Sequence, residues 1–222
     1  MEVIPGVHQI TSLMVNMIVI VEERLTLVDT GFPGSAGRIA SYINRLGRSI
    51  KEIELIIITH NHLDHAGGLS SLRKMTRAKV AAGKADLGTS GLSYPWYLKG
   101  IMPTLRPLFL AKPGEVDIPL EGGETLSPLG GLEVIPTPGH TPGSISLYSP
   151  GKKLLIVGDT INHRTKDMRL PPRDFSSNMG QAKDSIKMLA RLDFETLCFG
   201  HGRPIISGAS ARLREWIERK GL

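Results

Sequence analysis

The chain has 222 residues and a net charge of +6, with 41% hydrophobic and 22% charged residues. These values belong to an ordinary globular chain and exclude a disordered or low-complexity one. The single cysteine, Cys198, excludes an internal disulfide and a cysteine-rich zinc module.

No apolar run approaches the roughly 20 residues that cross a bilayer. The first residues show no basic stretch followed by an apolar one, so a cytoplasmic protein without a membrane partner is expected. Residues 3–10 and 14–21 alternate or run apolar in the manner of strands, and 24–28 makes a third after a tight turn at Glu22-Glu23. Asp29-Thr30-Gly31-Phe32-Pro33-Gly34 stops that strand with turn residues. Ser35 is placed to cap a helix that buries Ile39, Ile43 and Leu46 and ends at Gly47. A strand at 54–59, a short helix at 69–75 and a strand at 78–82 continue a rhythm that argues for mixed α/β layers.

Residues 94–113 differ: Pro95, Trp96, Tyr97, Pro103, Pro107 and Phe109 make an apolar stretch without clean period. Such a length is unusual for a plain connection, so it is either a surface excursion or a lid or pocket wall. Strands follow at 116–120, 132–137, 144–148 and 153–157, then a helix at 178–189 capped by Asn178, a strand at 195–199 and a helix at 207–220. One domain covering 1–222 is expected. Cys198 lies in an apolar strand and reads as a small core hydrophobe.

The densest chemistry is His60-Asn61-His62-Leu63-Asp64-His65, directly after the apolar run Leu55-Ile56-Ile57-Ile58. Alternate residues of an extended segment point the same way, so His60 and His62 can grip one metal. Asp64 and His65 fall where the chain turns into a helix, which aims them at a neighbouring position. Four ligands are too few for two ions. The remaining candidates are His140, Asp159 and His201, each just after an apolar strand. Taken singly, a histidine after a strand is more often a hydrogen-bonded structural residue. A faint internal echo links Leu25-Thr26-Leu27-Val28-Asp29-Thr30 to Leu155-Ile156-Val157-Gly158-Asp159-Thr160, and Ile56-Ile57-Ile58-Thr59-His60 to Thr196-Leu197-Cys198-Phe199-Gly200-His201.

As an ordered set these residues resemble the metallo-β-lactamase-fold superfamily of hydrolases. The resemblance rests on His-x-His-x-Asp-His, on Pro138-Gly139-His140-Thr141-Pro142-Gly143, on Gly158-Asp159, on Gly200-His201-Gly202 and on Val28-Asp29-Thr30-Gly31, over residues 28–202. It implies an α/β chain folded as a four-layer αβ/βα sandwich. It also implies that His60, His62 and His140 bind one metal, that Asp64, His65 and His201 bind a second, and that Asp159 bridges them. Asp29 and Thr59 would orient the ligand loop. The implied cofactors are two divalent ions: zinc first, with iron or manganese also suited to imidazole and carboxylate ligands. A metal-bridging hydroxide would attack the substrate, and Asp64 would take its proton to the leaving group.

The expected partner is therefore a small-molecule substrate: an ester, thioester or lactone. Two alternatives remain: a mononuclear non-haem iron persulfide dioxygenase, which looks alike at His60, His62, His140 and Asp159, and a phosphodiesterase or nuclease. Nucleic acid is the less favoured partner, because no large insertion or added arm is present. The excess charge at Arg212, Arg214, Arg219 and Lys220 reads as a solvated helix face. His8 and His163 read as structural or loop residues, Arg164, Lys166, Arg169 and Arg173 as an exposed basic loop, and Ser144 as a turn residue. Nothing in the sequence indicates an oligomeric state.

Overall fold

A computed structural model of the chain describes residues 1–87 and 116–222. The segment 94–113, expected as a lid or pocket wall, lies outside the described residues. Two sheets form the body. The first runs in the order β1 (Glu2–Ile4), β2 (Val7–Ser12), β3 (Val15–Val21), β4 (Leu25–Val28), β5 (Ile53–Ile58), β6 (Lys79–Gly83), β7 (Ile118–Leu120). The second runs β12 (Thr196–Cys198), β11 (Leu154–Ile156), β10 (Ile145–Ser149), β9 (Leu132–Pro136), β8 (Thr125–Leu126).

The central strands are apolar on both faces because both faces are covered. Side chains alternate, so Ile57, Ile18, Ile20 and Val28 face the second sheet and meet Val134, Leu147, Leu154, Ile156 and Cys198. Ile56 and Ile58 face outward, where Ile39 and Ile43 of α1 (Ala36–Arg45) and Leu69 and Leu72 of α3 (Leu69–Met75) cover them. The second sheet repeats this outside: Leu155, Val157, Leu197 and Phe199 pack on Ile186 and Leu189 of α4 (Met179–Leu189) and on Leu213 and Trp216 of α5 (Ala209–Lys220). The result is a four-layer αβ/βα sandwich, as the resemblance implies.

The internal echo has a structural meaning. β4 pairs parallel with β5, and β11 pairs parallel with β12, so each sheet carries one matching parallel pair. β9 and β11 both run antiparallel to β10, and so parallel to each other. Strands β9, β11 and β12 therefore end at one edge of their sheet, and β4 and β5 end at one edge of theirs. The candidate ligands follow these ends.

Several local expectations are corrected. Residues 3–10 form two antiparallel strands, not one, because the Pro5-Gly6 turn breaks them and Gly6 takes φ +78°. Ser35 does not cap α1: it has helical angles (φ −68°, ψ −19°) and its side chain makes no cap bond. Asn178 does cap α4, accepting from the backbone N–H groups of Gly180 and Gln181. The two-residue β8 is too short to show a period. No helix among the described residues is long and apolar enough to cross a membrane.

Candidate metal centre

At the end of β5 the chain stays extended through His62 (φ −92°, ψ 153°), which places His60 and His62 on one side. It then turns into the one-turn helix α2 (Leu63–Ala66), carrying Asp64 and His65. Two glycines fix where this helix lies. A Cβ on Gly68 would sit 2.3 Å from the carbonyl oxygen of Thr30, and one on Gly67 would sit 2.5 Å from Cδ of Pro33. The loop can therefore press on the turn after β4, where Thr30 donates to the His65 carbonyl through both N–H (2.6 Å) and Oγ1 (2.8 Å).

His140 lies in the β9–β10 turn, Asp159 after β11 and His201 after β12. The structure brings all seven sequence-derived candidates into one cluster, buried except for the partly exposed Asp64. His60, His62 and His140 form one group whose ligand atoms lie within 4.8 Å of one another; Asp64, His65 and His201 form another. Asp159 lies between the groups. Its Oδ1 is 3.4 Å from His65 Nε2, and its Oδ2 is 3.6 Å from His140 Nε2 and 3.2 Å from His201 Nε2. Gly200 leaves room for this: a Cβ there would lie 2.2 Å from Asp159 Oδ1.

The outer nitrogens of four rings are committed, and this decides the inner ones. His65 Nδ1 donates to Asp29 Oδ2 at 2.8 Å, and His201 Nδ1 donates to the Met14 carbonyl at 2.7 Å. Ser176 Oγ donates to the Pro172 carbonyl, so its lone pair accepts from His140 Nδ1 at 3.2 Å. Thr59 Oγ1 donates to Asp29 Oδ2, so it accepts from His60 Nδ1 at 3.1 Å. An imidazole that donates through Nδ1 presents a lone pair at Nε2 when neutral. The Nε2 atoms of His60, His65 and His140 and the Oδ1 of Asp159 are buried without any hydrogen-bond partner. Orphaned polar atoms converging in this way are costly unless a cation fills the space.

A family model for the metallo-beta-lactamase superfamily matches residues 10–201. The chain belongs to that superfamily. A probable metallo-hydrolase, YflN of Bacillus subtilis (strain 168), is 29% identical over 234 residues, covering 92% of this chain and 86% of the relative. A hydroxyacylglutathione hydrolase of Rhodobacter capsulatus is 32% identical over 163 residues, covering 72% of this chain but 52% of that protein. Among solved structures, the metallo-beta-lactamase family protein TTHA1429 from Thermus thermophilus superposes with a TM-score of 0.75 at 20% identity, covering 99% of this chain and 81% of that one. The superfamily binds divalent metals, and this member is a metal-dependent hydrolase.

The electrostatics of this superfamily member divide the cluster. Burial holds His60 well below the usual imidazole range and lowers His140 to about 3, helped in each case by neighbouring rings. Both are neutral at pH 7. For His65 and His201 burial also opposes charge, but carboxylates outweigh it. Asp159, Asp29 and Asp64 hold His65 well above the usual range, and bonds to Asp159 and Asp64 raise His201 to about 9. Burial opposes ionisation of Asp64, yet His65 and His201 lower it to about 2.

The backing residues escape sequence reasoning unevenly. Asn16 donates to the carbonyls of Phe199 (2.9 Å) and Gly202 (2.8 Å), and Gln9 to that of Gly202 (3.2 Å), bracketing His201. Their signal was polarity inside apolar strands. Ser176, Asp86 and the Met14 carbonyl carried no signal. His163 donates to the Arg203 carbonyl at 2.7 Å, and Ser144 Oγ accepts from the Thr141 N–H at 3.0 Å, closing the turn after His140. Burial raises the Cys198 thiol to about 12, consistent with a core role.

Proposed function

We propose that the protein is a dinuclear hydrolase of a small ester, thioester or lactone. His60, His62 and His140 hold one ion, Asp64, His65 and His201 hold the second, and Asp159 lies between them. The observation that carries this reading is the convergence of inward ring nitrogens, their opposite nitrogens already committed, around the buried Asp159 carboxylate. Divalent cations bound there supply Lewis acidity and lower the pKa of water toward neutrality, with zinc favoured by a ligand set of imidazole and carboxylate without thiolate.

The chain's own residues do the rest. Asp29, Ser176, Thr59 and the Met14 carbonyl fix the ring orientations, which raises ligand basicity and avoids reorganisation during the reaction. Asp159 is buried and holds the two groups together through one carboxylate. The Asp64 side chain is 23% exposed, so it can reach an attacking water, take its proton and deliver it to the leaving group. Neither Ser144 nor Cys198 competes for the nucleophile's role, since both are engaged in structure.

The substrate class draws on the hydroxyacylglutathione hydrolase relative, whose name denotes a thioester substrate. The match spans about half of that relative, so the thioester bond is carried over here and the glutathione moiety is not. The assembled Asp64–His65–His201 group supports two metals over the mononuclear iron alternative. The basic helix α5 offers little to a nucleic acid, since Arg214 donates to the carbonyls of Ala190 and Leu192 and Arg219 pairs with Asp167.

A panel of thioesters, lactones, β-lactams and phosphodiesters, run on protein of measured metal content, tests the reading. Thioester or lactone turnover that rises with metal content and is abolished in Asp159→Ala is expected. Turnover of phosphodiesters alone, or oxygen uptake with a persulfide, would overturn it.

A further inference from the structure

Asp86 is a buried carboxylate that the proposed chemistry does not use. It ends the short turn Lys84–Asp86 after β6 and is 2% exposed. Its Oδ2 accepts from the Asn61 N–H at 3.0 Å and from Thr141 Oγ1 at 2.7 Å, and its Oδ1 accepts from the Gly143 N–H at 2.6 Å. Asn61 stands between His60 and His62, and Thr141 follows His140. One side chain thus ties the loop carrying two members of the three-histidine group to the loop carrying the third, across the two sheets.

The approach is built in at the backbone level. A Cβ on Gly143 would lie 2.4 Å from the Asp86 nitrogen, and one on Gly83 would lie 2.0 Å from the Gly143 carbonyl oxygen. Only glycine at both positions lets the loops meet this closely. From its other side the His140 loop is held by the start of α4: the Ser177 N–H donates to the His140 carbonyl at 3.0 Å, and the Asn178 N–H donates to the Gly139 carbonyl at 2.9 Å. The Asp64–His65–His201 group has separate supports, Asp29 on His65 and the Met14 carbonyl on His201.

We propose that Asp86 is a positioning residue for the His60–His62–His140 group alone, setting that group's affinity for its ion by fixing the spacing of its two loops. This rests on the two-metal reading and adds to it a support that the three-histidine group has and the other group lacks. An asparagine at 86 keeps the shape but turns one oxygen into an N–H₂ donor facing donors, so at least one of the three bonds is lost.

The test uses two single-group proteins. His201→Ala disables the second group and leaves the three-histidine group; His140→Ala does the reverse. Each is prepared with and without Asp86→Asn, and Co²⁺ binding to the metal-free full-length chain is followed by its visible absorption and by chelator competition. In the His201→Ala background, Asp86→Asn is expected to weaken Co²⁺ binding by about 10–100-fold, the range for partners that orient metal ligands. In the His140→Ala background the change is expected to stay within about threefold on the same argument. Equal losses in both backgrounds, or no loss in the first, would overturn the proposal. Thr141→Val, which removes one of the three donors, repeats the comparison if Asp86→Asn does not fold; it must weaken binding in the His201→Ala background only, and no loss there overturns the proposal. If His201→Ala and His140→Ala each bind as many ions as the parent chain, the two-group reading itself fails, whatever Asp86 does.

Discussion

Asp29 and His65 meet at 2.8 Å, carboxylate oxygen to ring nitrogen, although 36 residues separate them. Asp29 sits just past β4 with φ +61°, a left-handed angle that suits a short polar side chain, and its two oxygens also take the N–H and Oγ1 of Thr59. Through Thr59 it reaches His60, so one carboxylate orients a ring in each ligand group. Asp29→Asn tolerates the same backbone angle while removing the charge and one acceptor. Divalent-metal affinity is expected to fall about 10–100-fold, measured by competition with a chromophoric chelator. Unchanged affinity would reduce Asp29 to a turn residue.

Metal loading is expected to release protons from one group and not the other. His201, raised to about 9, and His65, raised well above the usual range, carry protons at pH 7 on the nitrogens that face the site. His140, lowered to about 3, does not. Binding at the Asp64–His65–His201 group should therefore weaken about tenfold per pH unit for each proton displaced as pH falls below 9, while the three-histidine group varies little near neutrality. Zn²⁺ calorimetry in buffers of different ionisation enthalpy reads the proton count. A total release near zero at pH 7 would contradict this assignment of charge.

The metal-free protein should be most stable near the ordinary imidazole value of 6.5. The His201 pairing, with its folded pKa raised to about 9, stabilises fully below 6.5 and is lost as pH rises toward 9. The buried neutral His140, lowered to about 3, has the opposite sign: the unfolded chain takes up its proton below 6.5, and stability falls as pH drops toward 3. Urea midpoints between pH 5 and 9 check this, and a midpoint rising steadily to pH 9 would contradict it.

The β2–β3 hairpin closes through Leu13 (φ +50°) and Met14 (φ +69°), neither of which favours a left-handed backbone, and their 73% and 70% exposure means that little burial offsets the strain. Both central residues of this two-residue loop need positive φ, the pattern Asn-Gly satisfies. The double variant Leu13→Asn, Met14→Gly is expected to stabilise the fold by about 1–2 kcal/mol. It keeps the residue-14 carbonyl that holds His201. Chemical denaturation measures the gain, and a loss would show that these side chains pack on something in the folded state.

The candidate ligands and the sheets were legible because they obey short-range rules. Ile56, Ile57 and Ile58 announce a strand covered on both faces, and the spacing of His60, His62, Asp64 and His65 shows where extended chain gives way to helix. The echo between Val28-Asp29 and Gly158-Asp159 marked two matching parallel strand pairs. What escaped depends on partners distant in sequence. Asp86 looks like any turn carboxylate until Thr141 and Gly143, more than fifty residues on, close around it. The Met14 carbonyl is invisible because a backbone acceptor has no residue type. Ser35 misled because it stands at the cap position but has helical backbone angles and makes no side-chain cap bond.

The most direct test is the number of ions that metal-free protein binds, titrated with Zn²⁺ while thioester or lactone hydrolysis is followed in the same samples. Two tight equivalents are expected, with hydrolysis completed only by the second, and Asp159→Ala should abolish turnover and lower the bound metal. Saturation at one equivalent with full activity would contradict the two-metal centre.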